Sequence, residues 1–92
     1  MILMVELNHN CVNVNSDTLV KGDHGVLLAV HVLKSGSSGS KCELRNGTGA
    51  SDPVEVTAFG EDVQDVDEIH RRFESGIFAD ITGNAEYLII FK

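Results

Sequence analysis

Tryptophan is absent from this 92-residue chain, proline occurs once, cysteine twice, and only five residues are aromatic. Two cysteines are too few for a disulfide scaffold. Cys11 and Cys42 are therefore expected as reduced thiols in or near a core. Cations are also scarce: seven Lys and Arg stand against fourteen Asp and Glu, a net charge of −7. Such a chain repels phosphate backbones, so no nucleic-acid partner is expected. It has no basic amphipathic segment, so no membrane surface is expected either. The apolar opening "MILMVEL" meets Glu6 after five residues. It has no basic n-region and is too short for a secretory signal or a span. Synthesis and retention in a cytosol are the expectation.

Catalytic signatures are missing as well. The chain has no G-x-S-x-G, no H-E-x-x-H and no glycine-rich phosphate loop after a strand. "NGTG" lacks the Lys-Ser/Thr of a P-loop, and no H-x-H offers the clustered imidazoles of a cupin-type metal site. An enzyme is not expected, and no cofactor or metal is assigned. "HNC" sets His9 and Cys11 on one face of an extended segment, but no second pair has zinc-ligand spacing. "EDVQDVDE", residues 61–68, gathers five carboxylates without the EF-hand spacing. It reads as a solvated loop that shields a sheet edge, with calcium as the alternative.

What the chain does contain is strand grammar: much Val, Ile and Thr, punctuated by nine glycines. "SGSSGS", residues 35–40, looks like a flexible linker. Cutting there would leave pieces of about 35 and 50 residues, neither large enough to hold a core unaided. The chain is therefore one domain over residues 1–92, and "SGSSGS" is a loop between strands. Before it, "HGVLLAVHVLK" places Val26, Leu28, Val30 and Val32 on one face, with Leu27, Ala29, His31 and Leu33 on the other. After it, "SKCELRNG" alternates cleanly, Cys42 and Leu44 against Lys41, Glu43 and Arg45. "VEVTAF", "IHRRF", "IFADIT" and "EYLIIFK" continue the pattern, and "ILMVEL", "CVNVN" and "TLVKG" precede it. A helix over "DVQDVDEIHRRF" fits its period imperfectly. Roughly seven or eight short strands at turn-marked spacing make an all-β chain, a single antiparallel β-sandwich. Jelly-roll and immunoglobulin-like forms both remain open.

Two strands are apolar on both faces: residues 24–34 and the last strand, where Tyr87, Ile89 and Phe91 oppose Leu88 and Ile90. A second apolar face needs cover from a loop, an arm or another subunit. The subunit reading makes Leu27, Leu33, Tyr87 and Ile89 interface candidates. Residues 1–15 read either as an extended arm, with Ile2, Leu3, Met4 and Val5 as apolar anchors, or as the first strand.

The second half resembles a family of small virion proteins of tailed bacteriophages. The resemblance lies in the order of "GVLLAVHVLKSGSSGSKCELRNGTGAS", "RRFESGIFADITGNA" and "YLIIFK". Two departures accompany it: His70 and Arg71 stand where the family has a glycine pair, and the first twenty residues have no counterpart. The resemblance implies a compact β-sandwich, the jelly roll among its forms, on a phage particle. It implies a capsid decoration (cement) protein that bridges major capsid subunits, with homotrimers favoured. The alternative is a tail or fibre module that binds a receptor or a glycan. Against a glycan site, all five aromatics look needed for packing.

Overall fold

The structure is a computed structural model, and it describes residues 9–92. The predicted anchors Ile2, Leu3, Met4 and Val5 lie outside the described residues.

Among the described residues nine strands and no helix follow one another: β1 (Asn10–Val14), β2 (Thr18–Lys21), β3 (Gly25–Lys34), β4 (Lys41–Asn46), β5 (Val54–Phe59), β6 (Asp65–Val66), β7 (Arg71–Phe73), β8 (Ile77–Thr82) and β9 (Glu86–Phe91). They form two antiparallel sheets. The first runs β1-β9-β3, with β6 and β7 sharing the far edge of β3; the second runs β2-β8-β4-β5. The pairs β1·β9, β2·β8, β3·β6/β7 and β4·β5 are nested, outermost with outermost. One long antiparallel ribbon folded over on itself produces this nesting, with β9·β3 and β8·β4 closing it. That is the jelly roll, which settles the choice of form against the immunoglobulin-like arrangement.

The alternation read from the sequence explains the faces of the second sheet. Cys42 and Leu44 of β4, Ala58 of β5 and Ile77 and Ala79 of β8 are buried in the core. Their neighbours face solvent, where Arg45 pairs with Asp80 at 2.9 Å and donates to the carbonyl of Asp52 at 2.7 Å. From the first sheet come Val14, Leu27, Val30, Val32, Phe73, Tyr87 and Ile89. No helix forms over residues 62–73; β6 and β7 occupy that stretch.

β3 departs from simple alternation. Leu27 lies opposite Phe91, yet Ala29 lies opposite Ile90, so β3 spends two residues where β9 spends one. Leu28 is the extra residue of a β-bulge, and the bulge exchanges the two faces. Leu27 therefore points into the core together with Val30 and Val32, rather than opposite to them. A strand apolar on both sides carries no local sign of such a shift.

"SGSSGS" is a loop tied down at each step. Gly36 N donates to Gly60 O, Ser37 N to Asn84 Oδ1, and Gly39 N to Glu61 Oε2. Ser40 is buried. A Cβ on Gly36 would come within 2.6 Å of the Ala85 nitrogen, so a small residue is required there by space.

Burial sets the acid–base behaviour of two core groups. Cys42 is pushed up to about 12, first by burial and then by the charges of Asp80, Glu43 and Asp17. Tyr87 is also pushed up to about 12, by burial and then by Cys42. Both stay neutral in the fold, whereas the unfolded chain ionises them near their ordinary values of 9.0 and 10.0. Their contribution is fully present below about pH 9 and is lost as pH rises towards 12. Melting temperature is expected to fall over that window, less steeply in Tyr87→Phe. At neutral pH that variant should match or exceed the parent, because Tyr87 Oη is buried with no hydrogen-bond partner among the described residues.

Candidate functional site

The outer face of the first sheet carries the most concentrated chemistry. His31 projects from the middle of β3, and Asp65 of β6 lies directly opposite it in register. Val66 pairs with the core residue Val30, so the strand's alternation returns Asp67 to the face of His31. His31 Nε2 is 2.8 Å from Asp67 Oδ1, and Nδ1 is 3.7 Å from Asp65 Oδ1. The tautomer with the proton on Nε2 donates to Asp67. One donor atom from each of the three residues lies within 4.8 Å of the others.

Beside this cluster is a pocket of about 420 Å³ lined by His9, Leu28, Ala29, Asp67, Glu68, His70, Ile90 and Lys92. The segment after β6 closes one side of it, held by Ile69 N donating to Leu28 O at 2.9 Å. Glu68 and His70 there adopt left-handed backbone conformations, at φ 57° and 46°. Such conformations are uncommon outside glycine, and two in three residues mark a segment shaped by its surroundings. This segment is the cover the second apolar face required: Leu28 and Ala29 are only 7% and 6% exposed.

The predicted interface residues divide sharply. Leu27, Tyr87 and Ile89 are corrected: all three are fully buried between the sheets and present no side chain to a partner. For Leu27 the cause is the bulge; Tyr87 and Ile89 occupy the inward face of β9. Leu33 is 45% exposed and stays available. Of the two readings of residues 1–15, residues 10–14 take the strand, at an edge of the sandwich and paired with β9.

Other expectations shift in the same way. Cys11 is exposed, so only Cys42 is a core thiol. A thiol-specific reagent should modify one cysteine per folded chain and two after unfolding. Phe59 is 62% exposed, which removes it from the set of packing aromatics. The five carboxylates of residues 61–68 do not converge: Glu61 binds the Gly39 amide, while Asp65 and Asp67 turn to His31. His24 sits apart from His31, in a second pocket of about 370 Å³ with Lys21, Arg72 and Lys92. Two of those cations are balanced locally, Lys21 by Asp23 and Arg72 by Glu74.

The His31 cluster was not anticipated from sequence, because its members lie 34 and 36 positions apart. The available signal was the alternation "DVD", which sets two carboxylates on one face of any strand it forms.

Compared with known proteins, the chain matches no family model, no curated protein and no solved structure.

Proposed function

We propose that the protein is a structural component of a tailed-phage particle, a decoration protein that binds between major capsid subunits and stabilises the shell. The observation that carries this reading is the order of the segments in the phage-like pattern. "GVLLAVHVLK" is β3, the Gly/Ser run is the β3–β4 loop, "RRFESGIFADIT" is β7, a turn and β8, and "YLIIF" ends β9. All fall in sequence on the ribbon of a jelly roll, an architecture used by viral capsid proteins among many others.

The surface supports an assembly role. Among the described residues β1, β2 and β5 are edge strands, and an edge of this kind can extend a neighbour's sheet. Leu19, Leu33, Val54, Phe59 and Val63 are large apolar side chains left exposed among the described residues. A protein that binds only the mature shell stabilises it by mass action, and many copies multiply a weak contact. Homotrimers and the major capsid protein are the partners in this proposal.

The test is to add purified protein to expanded and unexpanded shells that lack it. Saturable binding to expanded shells alone, with a higher temperature of shell disruption, is the expected result. Equal binding to both, or to neither, overturns the reading. One observation favours the alternative of a glycan-binding tip: the exposed ring of Phe59 can serve as a stacking platform. Glycan binding that disappears in Phe59→Ala would establish that alternative.

A further inference from the structure

We infer that His31, Asp65 and Asp67 form a binding site for a divalent transition-metal ion of the zinc, cobalt or manganese type. The inference is independent of the virion reading and rests on the geometry of the outer face. Three donor atoms from three residues lie within 4.8 Å of one another. The 2.8 Å between His31 Nε2 and Asp67 Oδ1 suits two ligands of one ion. With bonds of about 2.1 Å, donors so spaced meet the ion at nearly a right angle.

The donor set selects the class of ion. An all-oxygen cage would suit calcium or magnesium, whereas an imidazole moves preference towards zinc and cobalt, and the two carboxylates also accept manganese. Two carboxylates and a neutral imidazole carry two negative charges, which a divalent ion neutralises. Among the described residues, His31 is the one ion-pair partner of either aspartate. The other titratable groups lining the pocket with Asp67 are Glu68, His70, His9 and Lys92. The aspartate side chains are 60% and 61% exposed, so an ion can enter from solvent and keep water in its remaining positions.

The scaffold holds the set without the ion. His31 is anchored in the ten-residue β3, and the two-residue β6 sets Asp65 against it. On binding, the neutral ring takes the tautomer with its single proton on Nδ1, and the Nε2 lone pair meets the ion in place of the hydrogen bond to Asp67. The ion then ties β6 to β3 more firmly than a half-exposed histidine–aspartate pair can.

The full chain should be titrated with Zn²⁺, Co²⁺ and Mn²⁺ by calorimetry, and the Co²⁺ complex followed by its visible absorption. The expected result is one saturable site per chain. Asp67→Asn and His31→Gln should each weaken it roughly tenfold or more, since losing even an outer-shell partner costs that much. Circular dichroism of the variants should match the parent. Replacing His24, which lines the other pocket, with Ala should leave binding unchanged. Absence of saturable binding by all three ions overturns the inference. So does binding that survives both variants, or that is lost in His24→Ala. If Asp67→Asn does not fold, Asp65→Asn and the shift of the His31 ring resonances on adding Zn²⁺ decide in its place. A ring that does not respond leaves a plain ion pair, and the site is refuted.

Discussion

Phe73→Ala is expected to remove about half of the domain's stability, with a correspondingly large fall in its urea midpoint. Phe73 is fully buried, and it belongs to a strand of only three residues at the edge of the first sheet. Removing a buried phenyl ring costs about 3–5 kcal/mol in transfer and cavity terms. Domains of this size hold only about 5–10 kcal/mol in total, so the change consumes a large share of it. β7 has little else to keep it in place. Its inward anchors are Phe73 and the neighbouring Ile69, and outside it Arg71 reaches Glu55 of the opposite sheet at 2.5 Å. Arg71→Ala removes only that half-exposed pair and should cost no more than about 1 kcal/mol. Urea denaturation of the two variants checks the contrast. Similar midpoints would show that the core does not depend on β7.

Gly83→Ala is the second large effect, expected at about 2–4 kcal/mol from two sources. Gly83 turns the chain between β8 and β9 at φ 86°, in the left-handed region where a Cβ is strained. A Cβ built there would also lie 2.2 Å from Ser40 Oγ, 2.9 Å from Ser40 Cβ and 2.9 Å from Ser40 Cα. The first two contacts belong to a side chain and the third to the backbone, so the turn and the end of the Gly/Ser loop cannot simply separate. Combining Gly83→Ala with Ser40→Gly should recover part of the loss, since the side-chain contacts disappear while the backbone contact and the strain remain. A double-mutant cycle measures the coupling. Strict additivity would mean that the two loops do not touch as described.

These two positions also show how unevenly sequence discloses structure. Where one face is polar, as in "KCELRN", alternation alone identified Cys42 and Leu44 as core, because water and the core compete for opposite sides. The Gly/Ser run was legible through the weakness of its flanking halves as separate domains. β3 was legible as a strand but not in its facing. Apolar residues on both sides leave the bulge at Leu28 unmarked, and so Leu27 was assigned to the wrong face. The pairing order of the jelly roll was beyond reach for a related reason. Nested contacts such as Asn10 with Phe91 join opposite ends of the chain, and local patterns do not carry them. The same distance hid the cluster of His31, Asp65 and Asp67. Cys11 was misplaced because its strand is an edge strand, where the outer face is open.

The proposed role rests on a pattern of segments laid along a jelly roll, and its most direct test is a count. Quantitative mass spectrometry of purified particles, calibrated against the major capsid protein, gives the number of copies of this chain per particle. The decoration reading predicts hundreds of copies, commensurate with the capsid lattice. A few to a few dozen copies would move the protein to the tail or a fibre, and absence from particles would contradict the virion reading outright.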